Sequence, residues 1–330
     1  MKLVSYEVEK NASKKQSIGL LFENQILDLN SAYRVFSTQD AGSSFIKKSA
    51  NLYFPPNMIS FFKTWKPGYE KAQEIQDRFQ ENPEMFSEGK IKSLYDRSEV
   101  KLLAPVPRPN TIRDFSTFVE HQRRVTLKKQ AVKIPDVFFE VPVYWKANPD
   151  NTIGPEDDIY WPSYSEKLDY ELEFGLYISR QGKNIPVEDA EDYIAGYTIF
   201  NDISARDQQE KEMVMTFGPA KGKDFDHSKV FGPCLVTPDE FSNIGNLMRA
   251  SVNGELWSES TTDGMIWTFA QMIAYVSQSE TLYPGDFLAS GTCPTGCGLE
   301  LDRWIQPGDV IELEVDGIGK LQNKVVRLDN

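Results

Sequence analysis

Leu168-Asp169-Tyr170-Glu171-Leu172-Glu173-Phe174-Gly175-Leu176-Tyr177-Ile178 alternates apolar and acidic side chains through its first half. Leu168, Tyr170, Leu172, Phe174, Leu176 and Ile178 hold the even positions, and Asp169, Glu171 and Glu173 the odd ones. Side chains alternate across a strand, so the apolar set faces a core and the three acids share the other face. Neighbours on that face stand about 6.6 Å apart. Three like charges in a row repel one another, more strongly if the face is shielded from water. Two readings follow. The segment is an edge strand with its acids in solvent, or the acids hold a divalent cation, because hard cations take carboxylate oxygens.

The next acid downstream favours the second reading. Tyr193 to Phe200 is an apolar strand that ends at Asn201-Asp202, and Ile203 to Gln209 reads as the start of a helix. Asp202, Arg206 and Gln209 then fall at i, i+4 and i+7, on one side. Helix capping explains Asp202 but asks for neither Arg206 nor Gln209.

His121 and His227 are the two histidines of the chain. Phe115 to Gln130 is expected to be a helix, and His121 lies seven residues after Asp114. If the helix begins early, Asp114 and His121 share one face. His227 falls in the polar Lys223-Asp224-Phe225-Asp226-His227 and is expected at the surface, leaving His121 as the functional one. Cys293 and Cys297 lack a second Cys or His pair at finger spacing, so zinc is not expected. Ser290-Gly291-Thr292 and Gly296-Cys297-Gly298 suggest a backbone-exposing loop that cradles an anion or a carbonyl.

The chain has 330 residues, which gives roughly two domains as a prior and ample surface for a core without staples. Lys and Arg number 36 against 49 Asp and Glu, a net charge of −13 that argues against nucleic acid and anionic membrane as partners. Arg123, Arg124, Lys128 and Lys129 read as a solvated helix face. No apolar run approaches a membrane helix, Met1 to Lys15 lacks a signal-peptide core, and three cysteines make no disulfide framework. The reading is a soluble cytoplasmic protein. Three prolines in Pro105-Val106-Pro107-Arg108-Pro109 mark a boundary. Residues 1–104 form a small α+β domain, with strands at Val4 to Val8 and across Ile18 to Leu29 and a helix from Gly68 to Asn82. Residues 105–330 are β-rich. Asn253-Gly254 is a hairpin turn, Val310 to Val315 a strand, and Met265 to Gln278 the clearest late helix.

Six motifs in order resemble the fumarylacetoacetate hydrolase family, over about residues 104–328. They are Arg113-Asp114-Phe115 with His121; Lys167 to Glu173; Phe200-Asn201-Asp202-Ile203-Ser204-Ala205-Arg206-Asp207; Lys223-Asp224-Phe225; Ser290-Gly291-Thr292; and Pro307-Gly308-Asp309-Val310 to Val325. The resemblance implies a mixed β-sandwich roll with flanking helices, an α+β, β-rich fold that is usually dimeric. It implies Glu171, Glu173 and Asp202 as ligands of Mg²⁺, Mn²⁺ or Ca²⁺, with Asp114 as a fourth acid near or on the metal. His121 matches the catalytic base and Glu300 the glutamate that orients it. Arg206, Gln209 and Lys223 match residues that hold substrate oxygens, and Thr292 a substrate-contacting threonine. Ser116 and Gln130 stand where fumarylacetoacetases carry a tyrosine and an arginine for the distal substrate end, so another substrate is expected.

This set suits chemistry that passes through an enolate. The expected activity is metal-dependent hydrolysis of a carbon–carbon bond in a β-diketo or acylpyruvate-type acid. The alternative is a lyase or isomerase on the same scaffold, such as an oxaloacetate decarboxylase or a sugar-acid dehydratase. A non-catalytic, Ca²⁺-stabilised carboxylate-binding protein is a third class, and it has no use for His121. The polar, basic stretch from His121 to Lys133 is expected to act as a lid.

Overall fold

The acid-bearing stretch forms two strands rather than one. Leu168–Asp169 pairs with Ser204–Ala205, while Leu172–Ile178 enters a large sheet between Ile194–Asp202 and Phe287–Ala289. Between them Glu171 makes a single bridge to Cys297, and the Leu172 N–H bonds the Gly296 carbonyl at 2.8 Å. The loop expected to expose its backbone therefore supplies the partner that breaks the strand. In the computed structural model residues 1–330 are described apart from 11–12, 38–42, 89, 129–132 and 329–330.

The large sheet has 12 strands. Its main path runs Leu94–Asp96, Gln25–Asp28, Ser13–Phe22, Lys2–Lys10, Lys229–Val236, Ile194–Asp202, Leu172–Ile178, Phe287–Ala289, Ile112–Phe115, Tyr144–Ala147. Lys2–Lys10 pairs with Lys229–Val236, so one sheet joins the first hundred residues to the rest. Residues 103–111, with the three prolines, carry neither helix nor strand, as proline's missing N–H and fixed φ require. A second, 5-stranded sheet includes Leu247–Val252, Glu255–Thr261, Val310–Val315 and Gly319–Val326. The Asn253-Gly254 turn takes φ of 53° and 78°, the positive pair that fits a two-residue hairpin.

Two cores follow from the alternation. Leu172, Phe174, Leu176 and Ile178 pack toward the second sheet with Met248, Ala250 and Leu313. Tyr177, Phe200, Phe231 and Phe287 point the other way, onto Phe54, Phe61, Ala72 and Ile75 from the N-terminal helices. The strand that carries Glu173 is thus covered on both faces and Glu171 is buried just before it, which excludes the solvent-facing edge reading: Glu171 is 4% and Glu173 1% exposed. Phe231 stacks on Phe200 at 4.7 Å and meets Phe287 edge-on at 4.9 Å, fully buried beneath the site. Phe231→Ala is expected to lower unfolding stability by about 3–5 kcal/mol in a denaturant titration, the usual effect of removing a core aromatic.

Three expected helices begin later than read. Ile112–Phe115 is a strand, paired in parallel with Phe287–Ala289, and the helix runs Val119–Lys128. Asp114 and His121 therefore sit on different elements and do not share a helix face. The helix after Asp202 is Arg206–Met213, and Asp202 closes its strand instead of capping it. The late helix is Phe269–Ser277, because Thr268 and Gln271 form a capping box there.

Candidate active site

Five neighbouring strands bring the site residues to one edge of the large sheet. Asp202 ends its strand, and Glu173 lies near the start of the antiparallel neighbour. Thr292 follows the Phe287–Ala289 strand, Asp114 lies near the end of the next, and Trp145 near the start of the last. Antiparallel neighbours place starts beside ends, and the parallel pair Phe287–Ala289 with Ile112–Phe115 places two ends together, so residues far apart in sequence converge.

Asp114, Glu171, Glu173 and Asp202 are all buried, with one carboxylate oxygen from each inside a 4.8 Å group. Lys223 Nζ donates to Glu171 Oε2 and Asp202 Oδ2 and stands 3.7 Å from Asp114 Oδ2. Lys229, wholly buried, places its ammonium 2.6 Å from Asp202 Oδ1. Thr292 Oγ1 donates to Glu173 Oε1 at 3.1 Å, and Trp145 Nε1 to Asp114 Oδ2 at 2.7 Å. Asp114 Oδ1 and Glu173 Oε2 have no hydrogen-bond partner among the described residues.

Asp169 turns away from this cluster. Its Oδ1 accepts from the Gly298 N–H at 2.7 Å, and its Oδ2 from Leu299 N–H at 3.0 Å and Arg206 Nε at 2.8 Å. The loop read as an anion cradle thus holds a carboxylate of the chain itself. Burial pushes the Asp169 carboxyl up and Arg206 pulls it down. Every neighbour is a donor, which only the carboxylate satisfies. Arg206 also reaches Glu171 Oε1 at 2.8 Å and donates to Gln209 Oε1 at 3.0 Å. Asp169→Asn breaks this buried pair and is expected to cost about 3–5 kcal/mol of unfolding free energy, measured in urea.

The charges do not balance. Five carboxyls, at Asp114, Asp169, Glu171, Glu173 and Asp202, face three cations, at Arg206, Lys223 and Lys229. Burial works to raise Glu171, but Lys223 and Arg206 outweigh it and hold its carboxyl down at about 2. Burial, opposed by Lys223 and helped by Asp202 and Glu171, pushes Asp114 up to about 7. Burial and the neighbouring acids Asp114 and Glu171 raise Glu173 well above the carboxylate range. Both acids with an oxygen free of hydrogen bond and ion pair, Asp114 and Glu173, thus resist ionisation. A divalent cation matches the excess of two negative charges in sign and size, and an all-oxygen donor set suits Mg²⁺, Mn²⁺ or Ca²⁺.

His121, on the Val119–Lys128 helix, meets Glu300 of the Gly298–Leu301 helix: Nδ1 to Oε1 is 2.7 Å. Glu300 Oε2 accepts from the Thr295 N–H at 3.1 Å, and Oε1 takes the ring together with the Cys297 thiol at 3.7 Å. An Nδ1–H donated to Glu300 assigns the free lone pair to Nε2. His121 and three acids of the cluster, Asp114, Glu171 and Glu173, line one cavity of about 320 Å³, with Arg206, Gln209, Lys223 and Thr292. Phe115, Ser116, Gln122, Val125 and Tyr144 form its other walls, and Gln122 Nε2 donates to Ser116 Oγ at 2.6 Å. Gln130 and part of the expected lid lie outside the described residues. His227 is half-buried, stacked on Tyr160 at 3.8 Å and bonded to the Asp158 carbonyl, away from the cavity.

Sequence reasoning missed Lys229 and Trp145. A lone lysine opening the apolar Lys229-Val-Phe-Gly-Pro-Cys-Leu-Val strand was a usable signal, since a charge there needs a partner. Trp145 carried none.

Known proteins resemble this chain in fold and sequence. The family model described as "Fumarylacetoacetate (FAA) hydrolase C-terminal" matches residues 110–326. Oxaloacetate tautomerase fahd2, mitochondrial, of Xenopus laevis is 31% identical over 323 residues, covering 96% of this chain and 94% of that protein. The crystal structure of 5-carboxymethyl-2-hydroxymuconate delta-isomerase from Mycobacterium smegmatis has a TM-score of 0.60 at 30% identity, covering 72% of this chain and 86% of that one. Maleylpyruvate hydrolase from Sphingobium sp. SYK-6, in complex with manganese (II) ion and pyruvate, has a TM-score of 0.70 at 20% identity over 100% of both chains, a likeness of fold. Among the described residues, no helix is long and apolar enough to cross a membrane.

Proposed function

The chain belongs to the fumarylacetoacetate hydrolase family, and on that premise we propose that it is a divalent-metal-dependent enzyme acting beside a carbonyl of a small keto acid by way of its enolate. The observation that carries this reading is the shared cavity: His121, backed by Glu300, lines it together with Asp114, Glu171 and Glu173 of a buried acid cluster with an excess of negative charge. A cation held by Asp114, Glu171, Glu173 and Asp202 would supply Lewis-acid charge for the enolate oxygen. His121 Nε2 takes the proton, and Glu300 stabilises the imidazolium that results. Thr292 fixes Glu173, Arg206 holds Glu171 and Gln209 in place, and Lys223 adds fixed positive charge beside the reacting oxygens.

Within that chemistry we put proton transfer on an oxaloacetate-type acid first. It needs only an enolate site and one group that takes the enol proton and returns a proton to carbon, and it is the reaction named for the relative aligned over 96% of the chain. Hydrolysis of a carbon–carbon bond in an acylpyruvate-type acid is the second reading, favoured by the 2.7 Å His121–Glu300 contact, which suits a base that activates water. The experiment offers oxaloacetate enol and acylpyruvates to metal-free protein and to protein with Mg²⁺ or Mn²⁺. Metal-dependent ketonisation supports the first reading and pyruvate release from acylpyruvates the second. Turnover of neither class, with either ion, overturns the proposal. A cytoplasmic homodimer with a small N-terminal domain over residues 1–104 belongs to the same proposal.

A further inference from the structure

We infer that Trp145 is a positioning residue for the proposed metal site: its indole N–H turns Asp114 so that one carboxylate oxygen stays free, and its ring backs both site lysines. The inference rests on the metal reading above. Trp145 stands directly opposite Asp114 in the antiparallel pairing of Tyr144–Ala147 with Ile112–Phe115. Opposed residues share a sheet face, so the side chains meet. The indole N–H, a donor only, takes Asp114 Oδ2 at 2.7 Å and leaves Oδ1 buried without a hydrogen-bond partner among the described residues. The ring centroid lies 5.6 Å from Lys223 Nζ and 5.4 Å from Lys229 Nζ, within cation–π reach. Both ammonium groups sit on Asp202, one per oxygen. One side chain from the last strand of the sheet therefore touches an acid on one side of the cluster and the cations on the other. Trp145→Phe keeps an aromatic ring beside the lysines but removes the N–H together with the second ring of the indole, a loss that W267F shares.

The test is a Mn²⁺ titration of wild type, W145F and W267F, with free ion read by EPR. Trp267 donates to the Phe138 carbonyl and does not line the cavity, so W267F controls for the loss of an indole N–H as such. The Mn²⁺ dissociation constant of W145F should rise about 10–100-fold, the usual effect of freeing a metal ligand from its supporting bond, with W267F unchanged. Wild-type affinity in W145F overturns the role, as does equal weakening in W267F. A wild type that binds no Mn²⁺ overturns the metal reading and this inference with it. If W145F does not fold, ¹⁵N-indole spectra of the wild type decide. One of the six tryptophan signals should broaden first with substoichiometric Mn²⁺, and uniform or absent broadening counts against Trp145.

Discussion

A Glu173→Gln protein should lose turnover and metal-induced stabilisation together, yet be more stable than wild type when both are metal-free. Glu173 is buried with Oε2 unpartnered, and beside Asp114 and Glu171 its carboxyl resists ionisation, so the metal-free fold holds it protonated where the unfolded chain would ionise it. A glutamine keeps an oxygen for the Thr292 hydroxyl, and its amide faces Asp114 with no proton to hold. Relief of an unsatisfied buried group is worth about 1–3 kcal/mol. Wild type should gain about 2.7 kcal/mol from metal at a hundred times its dissociation constant, and the variant little. Losing several kcal/mol of Lewis-acid stabilisation, at 1.36 kcal/mol per decade, lowers turnover by about 10³-fold. Thermal melts with EDTA and with Mn²⁺, beside the rate assay, check all three. A metal-induced shift of wild-type size in the variant would remove Glu173 from the proposed ligand set.

The same charges set a pH dependence for the metal-free protein. Asp114 and Glu173 both titrate above their unfolded values, so the folded state binds more protons than the unfolded state. Stability should therefore fall as pH rises from the ordinary carboxylate range through about 7, where Asp114 ionises. In Glu173→Gln that fall should be shallower. A metal-free wild type that grows steadily more stable over this range would show that both acids ionise on folding without a cation.

Much of this site was legible because its strongest feature is local. A period of two places Asp169, Glu171 and Glu173 on one side of a strand whatever the fold. What the period could not show is the division of labour among the three. Asp169 is drawn off by Arg206 and the amides of Gly298 and Leu299, residues that meet it only in three dimensions. The strand break at Glu171 likewise comes from Cys297, far along the chain. A helix reaching back to Asp114 stayed open as a condition because four residues, Ile112 to Phe115, are too few for a period to declare itself. Their parallel partner Phe287–Ala289 makes them a strand. Glu300 was reached through the resemblance alone; its approach to His121 depends on a helix end and a short helix brought together by the cavity wall.

His121→Ala should lower turnover by about 10²–10⁴-fold, the usual worth of a positioned general base, while leaving metal-induced stabilisation intact. The two halves separate because the ring touches Glu300 and lines the cavity, whereas the acid cluster is held by Lys223, Lys229, Thr292 and Trp145. Glu300→Gln tests the other end of the pair. An amide accepts the Nδ1–H through its oxygen but brings no negative charge to the imidazolium that forms when Nε2 takes a proton. Proton transfer between the enol oxygen and carbon should then slow, and so should water attack, but not equally. An enol gives up its O–H proton readily once the enolate is stabilised, and its carbon takes a proton back from the imidazolium, whereas water has to be activated by the base itself. Acylpyruvate hydrolysis should thus lose more in Glu300→Gln than oxaloacetate ketonisation does, and the ratio of the two rates reports which reaction the pair serves. A His121→Ala protein with wild-type rates on both substrates would show that the base lies elsewhere in the cavity.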